Sequence, residues 1–489
     1  MRRRKAIVVL LLLFAGSVLL RLPSINRPLS KHHEYNTAVI LINVESWRQS
    51  GGGDRYHYTP LLNYQHPGDK CPVDIPNVDA SGNILYVSFG PGWYVIPYFI
   101  YQVFHLPAEP VYLQVINLCF HLAAVVLLFL LSEQLTPAGR ERRYETVLLV
   151  CSLFMFSPSV LWYLGNGYVT TGIEMPFVFA LLLVLLPMLR SAGEITGRRL
   201  LLLSLLIVVL AYIDWLVLFI SFVAGLWLLF RFRRDRRYGL LLGVIVAAGI
   251  TALALSFIQF ASYSGPGMLV KQLKHQFLFR SIASGEPGPS LVTGVLRNIV
   301  TSYLPMIVLL GVAGGLLLLR KKKIRMDRGE VVCMWIYGGA ILLYNLVLLE
   351  WSAVHEFALI PFCLLLAVPA ARLTMLTVRG RGFYFVLVCY LVAATAQYYV
   401  INRPGRFSWS GSSYDSYRQL GRRLQGVPAD QKLFMNADWS AVIEYYAGRN
   451  ITPVTDIDSA RAYMRRWGVQ KAVWIAQKDY RLEGIVQLP

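Results

Sequence analysis

Long apolar runs almost free of charge set the limits on what this chain can fold into. They fall at about 6–20, 111–132, 146–164, 173–190, 200–212, 214–230, 238–258, 299–319, 330–350, 354–372 and 382–401. Most approach the roughly 20 residues a helix needs to cross a bilayer core. In lipid the backbone must satisfy its own polar groups, so repeated runs of this kind predict a bundle of membrane-spanning helices. Hydrophobic residues make up 56% of the chain and charged ones 15%, with a mean hydropathy of +0.51. The net charge of +20 then belongs to Lys and Arg at the cytoplasmic ends of spans. No soluble basic face carries it, so nucleic acid is not an expected partner. The first run follows Arg2, Arg3, Arg4 and Lys5 and ends at Arg21-Leu22-Pro23 without a small-residue cleavage signal. It reads as an uncleaved span.

Charge also orients the chain. The stretch Tyr86 to Phe104 is apolar but broken by Gly90, Pro91, Gly92 and Pro97. If it does not span, every basic cluster lands on one side: Arg2–Lys5, Arg140/Arg142/Arg143, Arg198/Arg199, Arg231–Arg237, Arg320–Arg328 and Arg379/Arg381. If it spans, the strongest clusters move outside, against the positive-inside rule. The expectation is therefore a polytopic α-helical protein of the cell (inner or plasma) membrane with about eleven spans and a cytoplasmic N-terminus. Residues 86–104 form a helix at the outer interface. A transmembrane domain covers 1–401 and includes an outward first loop, 21–110; a further outward loop is expected at about 259–298. Residues 402–489 are richer in polar groups and read as a small extracytoplasmic α/β domain. Helical spacing falls at Tyr414–Leu424 and Trp439–Tyr446, and short apolar strands at Lys432–Met435 and Ala472–Ile475. Five of the six cysteines lie inside apolar runs and Cys71 stands alone, with no C-x-x-C. A disulfide framework or thiolate zinc site is not expected.

The acids at the outer ends of spans carry the chemical signal. Glu34 lies in Lys31-His32-His33-Glu34-Tyr35, ahead of an amphipathic segment from Tyr35 to Trp47. Three readings stand: a capping carboxylate, a catalytic base flanked by groups that hold it, or a divalent metal ligand with His33. Glu174 lies at the outer end of the fourth span, where an ionisable group faces a cavity or favours a helix start through the dipole. Asp214 sits at an outward turn and either lines the same cavity or caps the next helix. His355, in His355-Glu356-Phe357, is either structural or a contact for lipid phosphate. Arg27, Lys31, Arg55, Lys70, Lys271, Lys274, His275 and Arg280 supply outer positive charge, which a phosphate leaving group needs.

This layout resembles the GT-C glycosyltransferase superfamily, in particular the branch of the lipid A aminoarabinose transferase and the protein O-mannosyltransferases. His33-Glu34-Tyr35-Asn36 stands where that branch has Asp-Glu. Gly90-Pro91-Gly92-Trp93-Tyr94 resembles its interfacial helix, Tyr168 to Phe177 its second acidic segment, and His355 to Pro361 a short outer motif before a late span. His33 replaces the usual first acid, leaving one carboxylate in the loop motif. The resemblance implies an inverting membrane transferase of the cell envelope, moving a sugar from a polyprenyl-phosphate donor to the hydroxyl of a lipid, glycan or protein acceptor. Glu34 and Glu174 would be catalytic, with Glu34 the base. His33, Asp214 and Tyr168 would line the acceptor cavity. Lys31, Lys70, Arg280 and His355 would hold the donor phosphate. A divalent ion at Glu34, His33 and Glu174 is the one cofactor implied. The rival expectations are a polyprenyl-linked polysaccharide polymerase or ligase, and a lipid-carrier flippase or transporter.

Overall fold

The computed structural model describes residues 1–29, 32–73, 77–136, 142–233, 235–285, 287–321, 328–378, 380–402, 414–436, 440–478 and 481–488. The chain is a polytopic α-helical protein with a small C-terminal sheet. Six helices are long and apolar enough to cross a membrane: Arg3–Ser24, Pro110–Leu135, Arg237–Ser264, Gly288–Leu319, Gly329–Val347 and Gly382–Asn402. Met175–Arg190, Leu216–Phe232 and Phe362–Thr377 are shorter apolar helices. The expected count of about eleven is therefore not reached by length and composition among the described residues.

Proline explains one of the differences. The run 146–164 divides into helices Arg143–Met155 and Pro158–Tyr163 because Ser157 is extended and Pro158 has no N–H to continue the ladder. The ambiguous stretch gives one helix of 12 residues, Gly92–Val103. At 1.5 Å per residue it is about 18 Å long, short of a bilayer core. The loop expected at 259–298 is largely helical, with Pro266–Arg280 following a turn at Gly265, whose φ of +78° suits a residue without Cβ.

The chain divides into two compact units. The first comprises Met1–Ile25, Gln114–Ser256 and His275–Tyr399. In it Gly288–Leu319 packs on Phe362–Thr377, which also meets Arg143–Met155, and Leu216–Phe232 packs on Arg328–Val347. Its outward surface is apolar: Phe230, Leu318, Leu319, Trp335 and Phe385 are all more than two-thirds exposed. Water would not tolerate such a surface and lipid does. Its interior holds the ion pair Arg372–Glu330 at 3.2 Å.

The second unit comprises Asn26–Leu113, Phe257–Lys274 and Val400–Pro489. It therefore holds the first loop and the tail together. The tail carries four strands, β1 (Lys432–Met435), β2 (Ile451–Pro453), β3 (Ala472–Lys478) and β4 (Arg481–Leu488), in the order β2-β1-β3-β4. β1 runs parallel to both neighbours, pairing Leu433 with Ile451 and Val473, while β4 lies antiparallel on β3. The helix Ala441–Ala447 packs on Tyr35–Gln49 of the first loop. Arg449 ties the two segments further. Its Nε donates to Asp69 at 3.0 Å and its Nη1 to the carbonyls of Val427 and Pro428. Lys432 Nζ donates to the Lys70 carbonyl at 3.1 Å.

Candidate active-site residues

Glu34 stands immediately before the helix Tyr35–Gln49, and its carbonyl accepts the first helical bond from Ala38 at 3.1 Å. It does not cap through its side chain. The carboxylate instead meets Arg27 as a fork: Nη1 donates to Oε2 at 3.0 Å and Nη2 to Oε1 at 2.9 Å. Exposure is 1% for Glu34 and 11% for Arg27. Paired bonds of this kind fix orientation as well as charge. Two left-handed residues, Asn26 (φ 58°) and His33 (φ 55°), bound the segment that folds Arg27 back onto Glu34. Arg27 takes two of the roughly four lone-pair positions of the carboxylate. His32 is buried, with Nδ1 2.9 Å from Asn402 Oδ1. The half-buried His33 ring lies 5.6 Å from that of His32, and loss of solvent together with His32 pushes its imidazole down to about 3. His33 is therefore neutral at pH 7.

In the first unit, Glu174 occupies the joint between helices Thr170–Ile173 and Met175–Arg190. It is wholly buried, and neither carboxylate oxygen has a hydrogen-bond partner among the described residues. Its electrostatic neighbour is another acid, Asp214. Asp214 Oδ1 accepts from Leu216 N at 3.3 Å and from Tyr344 Oη at 3.5 Å, while Oδ2 is buried with no partner among the described residues. Asp214 thus caps weakly through one oxygen and buries the other. Tyr168 is buried nearby in sequence, and Thr171 Oγ1 donates to the Phe357 carbonyl at 2.8 Å, tying this acidic segment to the motif at His355.

The third cluster also lies in the first unit as far as its members are concerned. Arg280 Nη1 lies 3.0 Å from His355 Nε2 and 3.3 Å from Glu350 Oε2. Arginine only donates, so His355 accepts at Nε2 and is the neutral Nδ1–H tautomer. The Arg280 guanidinium lies 5.0 Å from the Trp351 ring centre, and His355 packs 4.1 Å from the same ring. A cleft of about 540 Å³ opens beside Glu350, with Ser290, Thr293 and Arg297 in its lining.

No protein-family model matches the sequence, and no curated protein does. Solved structures do resemble it. ArnT from Cupriavidus metallidurans bound to undecaprenyl phosphate aligns over 96% of this chain and 93% of that one, with TM-score 0.63 and 10% identity. The same protein in its apo state gives TM-score 0.58 at 10% identity, over 97% and 94% of the two chains. The archaeal oligosaccharyltransferase AglB from Archaeoglobus fulgidus, in complex with an inhibitory peptide and a dolichol-phosphate, gives 0.53 at 13% identity, over 96% and 69%. The chain has the GT-C glycosyltransferase fold. At such identities the likeness is one of fold, and residue roles must be argued from this chain.

Within the GT-C fold the expected residues fare unequally. Glu34 gains Arg27, a partner not singled out for it in the sequence, and Arg280 is joined to His355. Lys70 is tied up internally: Nζ donates to Gln65 Oε1 and to Asn83 Oδ1, each at 2.6 Å, and burial lowers its pKa. Lys31 lies outside the described residues. Among the described residues no group of three or more His, Cys, Asp or Glu converges on a metal-sized site. Glu34 and His33 belong to the second unit and Glu174 to the first, and both Glu34 oxygens are engaged by Arg27.

Proposed function

We propose that this protein is a membrane glycosyltransferase that moves a sugar from a polyprenyl-phosphate donor to an acceptor hydroxyl on the extracytoplasmic side, with inversion. The observation that carries this reading is the buried Arg27–Glu34 fork at the start of a helix, within a fold whose solved representatives bind undecaprenyl phosphate and a dolichol-phosphate. An inverting displacement needs one base. The acceptor oxygen attacks the anomeric carbon, the bond from that carbon to the phosphate oxygen breaks, and the acceptor proton passes to Glu34. The polyprenyl phosphate leaves with the bonding pair. Arg27 fixes the carboxylate so that the remaining lone pairs keep one direction, which is the preorganisation such a step requires. Arg280, oriented by His355, Glu350 and Trp351, is the donor for the departing phosphate. No step is routed through a metal. The N-terminus is cytoplasmic in this reading, and the second unit faces outward.

A lipid-carrier transporter is the second reading. The observation in its favour is the buried Glu174–Asp214 pair, since buried acids in a helical membrane protein mark ion or proton pathways. The polymerase or ligase alternative shares the donor chemistry and differs only in acceptor. Comparing wild type with Glu34→Gln in nanodiscs, supplied with polyprenyl-phosphate sugars and membrane glycans, separates these readings. Wild type should release free polyprenyl phosphate, and the folded variant should do so at least roughly 100-fold more slowly, the usual size of a lost general base. Equal release by both removes Glu34 from the chemistry. Transbilayer movement of intact donor without release would establish the transporter.

A further inference from the structure

The second unit contains a cleft of about 570 Å³ that the transfer reaction does not use. One wall is the helix that begins after Glu34. Leu41, Glu45 and Gln49 face the cleft from it, and their four-residue spacing is one helical face. The other walls carry Tyr64, His66, Glu109, Gln425 and Tyr445. The Tyr64 and His66 rings are stacked, 6.4 Å apart at 27°. Tyr445 is fixed by its hydroxyl, which donates to the Ala108 carbonyl at 3.0 Å.

Charge narrows the ligand. Arg449 also lines the cleft, but its guanidinium is paired with Asp69 and backbone carbonyls. That leaves Glu45 and Glu109 as the charges of the lining, in a protein whose net charge is +20. Phosphates and acidic polymers are repelled by such a lining, and a lipid tail is mismatched to carboxylates and amides. A polyhydroxylated neutral ligand fits. Carboxylates and amides are planar and bidentate, and they accept well from paired hydroxyls. Aromatic rings cover the C–H faces of a sugar. Glu45 lies eleven positions beyond Glu34, a helical rise of about 16 Å. That exceeds one sugar ring and suits a short chain of them.

We propose that this cleft holds the far end of an uncharged oligosaccharide acceptor whose terminal hydroxyl is presented at Glu34. The inference rests on the transferase reading and names its acceptor class. It is tested on the full-length protein in nanodiscs without donor, by saturation-transfer NMR and titration with short malto-, cello-, manno-, xylo- and chito-oligosaccharides. An oligogalacturonide and a lysine-rich peptide serve as charged counter-probes. At least one neutral series should bind, more tightly with chain length, and Glu45→Ala/Glu109→Ala should weaken it roughly ten-fold or more. Glu109→Ala alone, at an exposed position, should weaken it in the same direction if the double variant does not fold. Failure of every neutral series to bind, binding indifferent to the variants, or preference for the peptide overturns the proposal. Donor release is measured separately. Glycan binding with no donor release by wild type would overturn the transferase reading and the acceptor role with it. Release without glycan binding would overturn the cleft alone.

Discussion

Glu34 and Glu174 each precede a helix and are each almost fully buried, at 1% and 0% exposure, yet the chain surrounds them in opposite ways. Glu34 has a guanidinium forked across both oxygens. Glu174 has no partner on either oxygen among the described residues, and its charged neighbour is a second acid. Burying a carboxylate is costly unless it is paired and hydrogen-bonded. The first acid is thus held as an oriented anion suited to accepting a proton. The second sits where a positive group is missing, whether a proton or a cationic part of a ligand. Two acids that look alike in sequence are therefore suited to different tasks.

The comparison is broken most directly at Arg27. Arg27→Met removes one partner of the buried Arg27–Glu34 pair and should cost about 3–5 kcal/mol of stability, the usual size of such a loss. Thermal unfolding in nanodiscs reads this, and donor release should fall with it. Glu174→Gln should behave in the opposite sense. It replaces a buried acid that has no hydrogen-bond partner among the described residues, so unfolding should occur at or above the wild-type temperature while transfer slows. A Glu174→Gln protein destabilised as much as Arg27→Met would show that Glu174 also has a strong partner, and the contrast would fail.

How much of this was legible in the sequence follows from where each interaction arises. The helical membrane fold was, because the period and length of an apolar run are local properties. The place of Glu34 at a helix start was, because such a start can be read from the residues after it. Arg27 was not assigned to it, because the fork depends on two left-handed turns at Asn26 and His33 that no hydrophobic pattern encodes. Lys70 read as an outer positive charge, whereas folding places two amide oxygens on it. Arg280 and His355 were both candidates, but 75 positions separate them and only packing brings them together. In the tail, β1 and the start of β3 show as apolar runs. β2 has three residues ending in Pro453, and β4 contains Gly484 next to a register shift on β3, so neither carries a clear alternation.

The smallest effect expected is a pH slope at His33, and it sharpens the account of the Glu34 side. The imidazole is held down to about 3 in the fold and returns to about 6.5 on unfolding. Between these values the unfolded chain binds more protons than the folded one, so stability rises with pH. The contribution of neutral His33 is present above about pH 6.5 and is lost as pH falls toward 3. One proton gives a slope of at most about 1.4 kcal/mol per pH unit, less for a group that keeps some solvent contact. Other groups titrate in the same range, so the informative quantity is the difference between wild type and His33→Gln. From pH 7 to pH 5 the unfolding temperature of wild type should drop more steeply than that of His33→Gln. Parallel curves would mean that His33 takes up its proton in the folded protein. A cationic imidazole would then stand beside the Arg27–Glu34 fork and add positive charge next to the base.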